Sequence, residues 1–66
     1  MNAKKNIKPS EVIKRLETDG WVQRRGKGDH VNFNKPGHPV ITVDAGANPI
    51  PIGTLRSIYR IAGWTW

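Results

Sequence analysis

From His30 to Asn34 the chain reads polar, apolar, polar, apolar, polar, with Val31 and Phe33 as the apolar members. A period of two is satisfied by an extended strand with one face against a core, so this run demands a sheet whose other face carries His30, Asn32 and Asn34. The flanking segments supply its neighbours. Trp21 to Arg25 and Val40 to Val43 read as further strands. Lys35-Pro36-Gly37-His38 links the second strand to the third by turn chemistry, with Pro36 fixing φ and Gly37 accepting a positive φ. A basic turn broken by Gly26 and Gly28 links the first to the second. Connections this short join antiparallel neighbours, which predicts a meander of three strands.

Helical periodicity brackets the strands. In Pro9 to Thr18, Pro9 suits the first turn, Glu11 favours the positive end of the helix dipole, and Val12, Ile13 and Leu16 form an apolar stripe. Asp19-Gly20 followed by Trp21 predicts a left-handed C-terminal cap with a hydrophobic residue folding back. After a loop from Asp44 through Pro51, Thr54 to Ala62 carries Leu55, Ile58, Ile61 and Ala62 at helical spacing, and Gly63 ends the run. The expected fold is therefore α+β: α-β-β-β-α, a three-stranded antiparallel sheet with two helices on one face. Neither a repeat nor a long linker divides the chain, so residues 1–66 form one domain.

A chain of 66 residues without cysteine has no disulfide and no zinc-thiolate site to staple a thin core. The lack of cysteine fits a reducing compartment, and the N-terminus has no apolar run behind Lys4 and Lys5, so a soluble cytoplasmic protein is expected rather than a secreted or membrane-spanning one. Its formal charge of +6 points to a polyanion or an acidic protein partner. Placement matters more than the sum. Lys4, Lys5 and Lys8 make a basic arm, Arg24, Arg25, Lys27 and Lys35 bracket His30 in sequence, Arg56 and Arg60 stand four apart on the last helix, and no acid follows Asp44.

His30 is the candidate for chemistry. An imidazole titrates near neutrality and can take or give a proton, while nearby cations and the N–H groups of a glycine-rich turn can hold a phosphodiester. A surface histidine can equally be an ordinary polar residue, and two glycines in a hairpin can be only a hairpin. His38, within Pro-Gly-His-Pro, reads as a turn residue. Trp64 and Trp66 read as packing that ties down the end of a small core, with a protein-binding hot spot as the alternative and base stacking third. His30, His38, Asp29 and Asp44 have no recognised metal-ligand spacing, so neither metal nor cofactor is expected.

The element order, Gly28-Asp29-His30 at the start of the second strand, and Ile52-Gly53-Thr54-Leu55-Arg56-Ser57-Ile58 opening the last helix resemble the HicA family of toxin endoribonucleases, from about Pro9 to Trp64. The resemblance implies a fold like that of double-stranded-RNA-binding domains, cleavage of messenger RNA through a histidine in a Gly-Ser-His motif, and inhibition by a HicB antitoxin. The family's catalytic histidine falls on His30, with Gly28 two residues before it. Asp29 replaces the serine, which sets a carboxylate beside the imidazole, able to stabilise its cation or to repel an incoming phosphate. Val31 stands where many members carry a second histidine, and Val43-Asp44 where many carry another after the third strand.

The expected mechanism has His30 take the proton of a ribose 2′-hydroxyl, or protonate the leaving 5′-oxygen. Lys27 and one of Arg24 or Arg25 then stabilise charge on the phosphoryl oxygens. Arg24, Arg25, Lys27, Gly28 and Lys35 are the expected RNA contacts, and Arg56, Arg60 and Trp64 the expected antitoxin contacts. The competing class is a non-catalytic double-stranded-RNA-binding module, which reads A-form RNA through phosphates and 2′-hydroxyls. Against it, Pro51-Ile52-Gly53-Thr54-Leu55 lacks the lysine cluster such modules place at the start of their last helix. A purely protein-binding role for the basic face is the third possibility.

Overall fold

The computed structural model describes residues 6–66, with the side chain of Arg25 excepted, so the basic arm at Lys4 and Lys5 lies outside the described residues. Its elements run α1 (Pro9–Thr18), β1 (Val22–Arg25), β2 (His30–Asn34), β3 (Ile41–Asp44) and α2 (Ile52–Ala62). This is the α-β-β-β-α order expected from the sequence. The strands form one antiparallel sheet in the order β1-β2-β3.

Helix α1 starts at Pro9, where the missing N–H is no loss, and the Glu11 carboxylate reaches back to the Lys8 N–H at 3.5 Å. At its end Trp21 N–H donates to the Leu16 carbonyl at 3.0 Å and Gly20 N–H to that of Glu17 at 3.1 Å, with Gly20 left-handed at φ +91°. Helix α2 ends by the same device. Trp64 N–H donates to the Tyr59 carbonyl, and Gly63 sits at φ +77°. In both Schellman motifs the residue after the glycine is tryptophan.

Three boundaries differ from the sequence expectation. Strand β1 begins at Val22 because the Trp21 N–H is committed to the cap of α1. Strand β3 begins one residue late and extends to Asp44, which pairs with His30. Helix α2 begins at Ile52, since the Pro51 carbonyl already accepts from Leu55 N–H at 2.9 Å.

Val12 and Leu16 of α1, Leu55, Ile58 and Ala62 of α2, and Phe33, Ile41 and Val43 of the sheet are buried together with Trp21 and Ile50. Both helices therefore cover one sheet face, and they meet it chiefly at β3. Val31, predicted inward, is only partly buried, as are Ile13 and Ile61. The opposite face carries His30, Asn32 and Asn34 with their β3 partners Asp44 and Thr42, while Val22 and Arg24 are exposed on β1. Among the described residues no helix is long and apolar enough to cross a membrane.

Candidate active site

His30 is placed by the turn before it and the strand pair after it. Its N–H donates to the Lys27 carbonyl at 3.0 Å, closing the β1–β2 turn in which Gly28 is left-handed at φ +58°. A Cβ on Gly26 would collide with the His30 carbonyl oxygen, so the turn holds its close approach only with glycine there. The ring emerges on the outer face with its side chain 57% exposed. The residue also borders a concavity of about 370 Å³ together with Gln23, Gly26, Gly28 and Val31, of which Gln23 and Val31 alternate toward the other sheet face.

An acid stands close to the imidazole. Asp44, directly across the β2–β3 rung, sets its Oδ2 3.9 Å from His30 Nε2. Its Oδ1 accepts from the Gly46 N–H at 2.9 Å. One rung along, Thr42 Oγ1–H donates to Asn32 Oδ1 at 2.7 Å. Asp29, just before His30, accepts at its carbonyl from Ala45 N–H at 2.8 Å. A Cβ on Gly46 would lie 2.7 Å from Asp29 Oδ2, so this loop packs closely against the start of β2.

The expected RNA contacts divide. Arg24 pairs with Asn32 on β1 and is exposed, Lys27 and Gly28 are exposed in the turn beside His30, and Arg25 pairs with Val31 while its side chain lies outside the described residues. Lys35 does not bracket His30. It follows the far end of β2, about 16 Å along the strand at ~3.3 Å per residue, where its ammonium donates to the Asp19 carbonyl at 2.8 Å. There it shares a second concavity with Val22, Arg24, Asn34, Pro36, His38 and Val40. His38, expected to serve the turn, packs its ring 5.3 Å from that of Trp21.

The three expected antitoxin contacts have separate surroundings. The Arg56 guanidinium lies 5.1 Å from the centroid of Trp66, and Arg60 is exposed in the last turn of α2. Trp64 is half-buried, its indole N–H donating to Asp19 Oδ2 at 3.1 Å and its face 4.1 Å from the Arg15 guanidinium. Among the described residues no group of three or more His, Asp or Glu could hold a metal ion.

Sequence reasoning weighs Asp44 only as a metal ligand and as a family position without its histidine, and does not place it opposite His30. Its outward phase follows from Ile41 and Val43 pointing inward, yet its partner depends on the hairpin register, which the alternation does not specify.

Fold and site together define a small basic α+β protein that presents an exposed imidazole and a carboxylate at one end of a three-stranded antiparallel sheet, with a basic turn beside them. No curated protein matches the sequence. The chain belongs to the HicA toxin family of bacterial toxin–antitoxin systems, whose family model matches residues 9–64. Membership implies an antitoxin partner.

Proposed function

We propose that this toxin is a metal-independent endoribonuclease that cleaves messenger RNA in the cytoplasm with His30 as proton carrier, and that a HicB-like antitoxin neutralises it. The observation that carries the reading is the placement of His30. A solvent-facing imidazole, next in the chain to the glycine turn that carries Lys27, is open to a ribose-phosphate, and the neighbouring cation can pair with the phosphate oxygens. The ring takes the 2′-hydroxyl proton, the 2′-oxygen attacks phosphorus, and the bond to the 5′-oxygen breaks. Lys27 with Arg24 or Arg25 offsets the charge that builds on the phosphoryl oxygens. Arg56, Arg60 and Trp64, on and just after α2, are the proposed antitoxin contacts.

The test is cleavage of end-labelled single-stranded RNA by His30→Ala. Because the side chain is exposed, the variant should keep its circular dichroism spectrum and melting temperature while losing about two to four powers of ten in rate. Undiminished cleavage would remove His30 from the chemistry. Products ending in a cyclic phosphate support attack by the 2′-hydroxyl. The α-β-β-β-α order also suits a non-catalytic RNA-duplex binder, and retention of duplex RNA by a protein that cuts no substrate would favour that class.

A further inference from the structure

We infer that Asp44 is a positioning residue for the His30 imidazole, an assignment that rests on His30 being the proton carrier. The first observation is the rung itself: His30 and Asp44 are register partners on the exposed sheet face, with Nε2 and Oδ2 3.9 Å apart. The second is that the carboxylate is held from behind. Its Oδ1 accepts the Gly46 N–H, which leaves Oδ2 as the oxygen turned to the ring. The third is that the loop supplying this N–H is itself anchored. Ala45 N–H bonds to the Asp29 carbonyl at 2.8 Å, and Ala47 N–H bonds to the Asp44 carbonyl at 3.1 Å.

This geometry assigns the two ring nitrogens. Nε2 faces Asp44, so Nδ1 is the nitrogen that meets the substrate proton. A carboxylate at Nε2 favours the neutral tautomer that carries its hydrogen there and its lone pair on Nδ1. In the reaction the 2′-hydroxyl proton passes to Nδ1, the 2′-oxygen bonds to phosphorus, and the leaving 5′-oxygen is protonated by water. Asp44 neither gains nor loses a proton; it holds the ring and attracts the imidazolium that forms. The 3.9 Å separation is longer than a hydrogen bond, and both side chains are about half exposed, as befits a pair that closes when substrate excludes water. The β1–β2 turn before the ring carries two further charged residues, Lys27 and Asp29, on either side of Gly28, and Arg24 is exposed on the same sheet face.

An anion at a phosphate site opposes substrate binding, and that gives the inference its signature. Removing the charge of Asp44 should impair turnover and at the same time relieve repulsion of the RNA. The experiment measures kcat and KM of Asp44→Asn, Asp44→Ala and Asp44→Glu on a labelled single-stranded RNA oligonucleotide, together with their melting temperatures. Asn and Ala should lower kcat about tenfold or more, with KM unchanged or reduced and melting unaffected, and Glu should recover part of kcat. Unchanged kcat in Asn and Ala, beside an inactive His30→Ala, overturns the inference and leaves the nuclease reading standing. A loss that tracks falling melting temperature and is not recovered by Glu also overturns it, because that is a structural role. Full cleavage by His30→Ala overturns the nuclease reading itself.

Discussion

The indole N–H of Trp64 donates to the Asp19 carboxylate at 3.1 Å, so the residue that follows the stop of α2 is bonded to the residue that caps α1. Lys35 joins them from the β2–β3 turn, its ammonium 3.8 Å from the same Oδ2 and 2.8 Å from the Asp19 carbonyl. One exposed acid thus gathers a helix end, a hairpin turn and the C-terminal segment. The buried indole Nε1–H of Trp21 makes no hydrogen bond of ordinary geometry, although it also helps to stabilise this carboxylate.

Asp19 makes the fold sensitive to acid. The Trp64 hydrogen bond, then the Lys35 charge, hold its carboxyl below the usual value of 3.8 against an opposing effect of desolvation. A folded value below the unfolded one means that the stabilisation is fully present above the unfolded value and is lost as pH falls through the folded one. Asp19→Asn should therefore melt a few degrees below the parent at neutral pH, with the gap closing in acid. Trp64→Phe, which keeps a ring but drops the donor, should show the same trend. Thermal denaturation as a function of pH checks both, and a gap that persists in strong acid would contradict the assignment.

The two close-approach glycines should respond differently to alanine. At Gly26 the new Cβ meets backbone, the His30 carbonyl, so the hairpin must shift, at a cost of about 1–3 kcal/mol. At Gly46 the nearest atom is the carboxylate tip of Asp29, an exposed side chain that can swing aside. Chemical denaturation should rank Gly26→Ala well below Gly46→Ala in stability. Equal losses would show that the Asp29 carboxylate is not displaceable.

Lys27 should contribute to RNA affinity as a charge and little else. Lys27→Ala is expected to weaken binding of single-stranded RNA similarly across sequences and to reduce the slope of log affinity against log salt by about 0.7, the value for one phosphate contact. Fluorescence anisotropy at several salt concentrations measures this. An unchanged slope would place Lys27 off the RNA track.

Much of the architecture is legible in local chemistry. The alternation of Val31 and Phe33 between His30, Asn32 and Asn34 specifies a strand and its faces, and Phe33 is indeed fully buried while His30 is exposed. Gly20 and Gly63 mark helix ends because both adopt the left-handed conformation that glycine enters without steric cost. The site is only half legible. His30 is visible as a polar residue beside a basic turn, but the same reading groups Lys35 with it, although a full strand separates the two and Lys35 turns to Asp19.

The sequence by itself determined the element types, their order, the buried face and the exposure of His30, because period, turn residues and helix caps act over a few neighbouring positions. The tertiary structure decided who stands opposite whom. Asp44 meets His30, and Trp64 and Lys35 meet Asp19, only once strand register and helix docking are set. Those pairings join residues from 14 to 45 positions apart in the chain, and their geometry depends on the packing of the whole core rather than on any local preference.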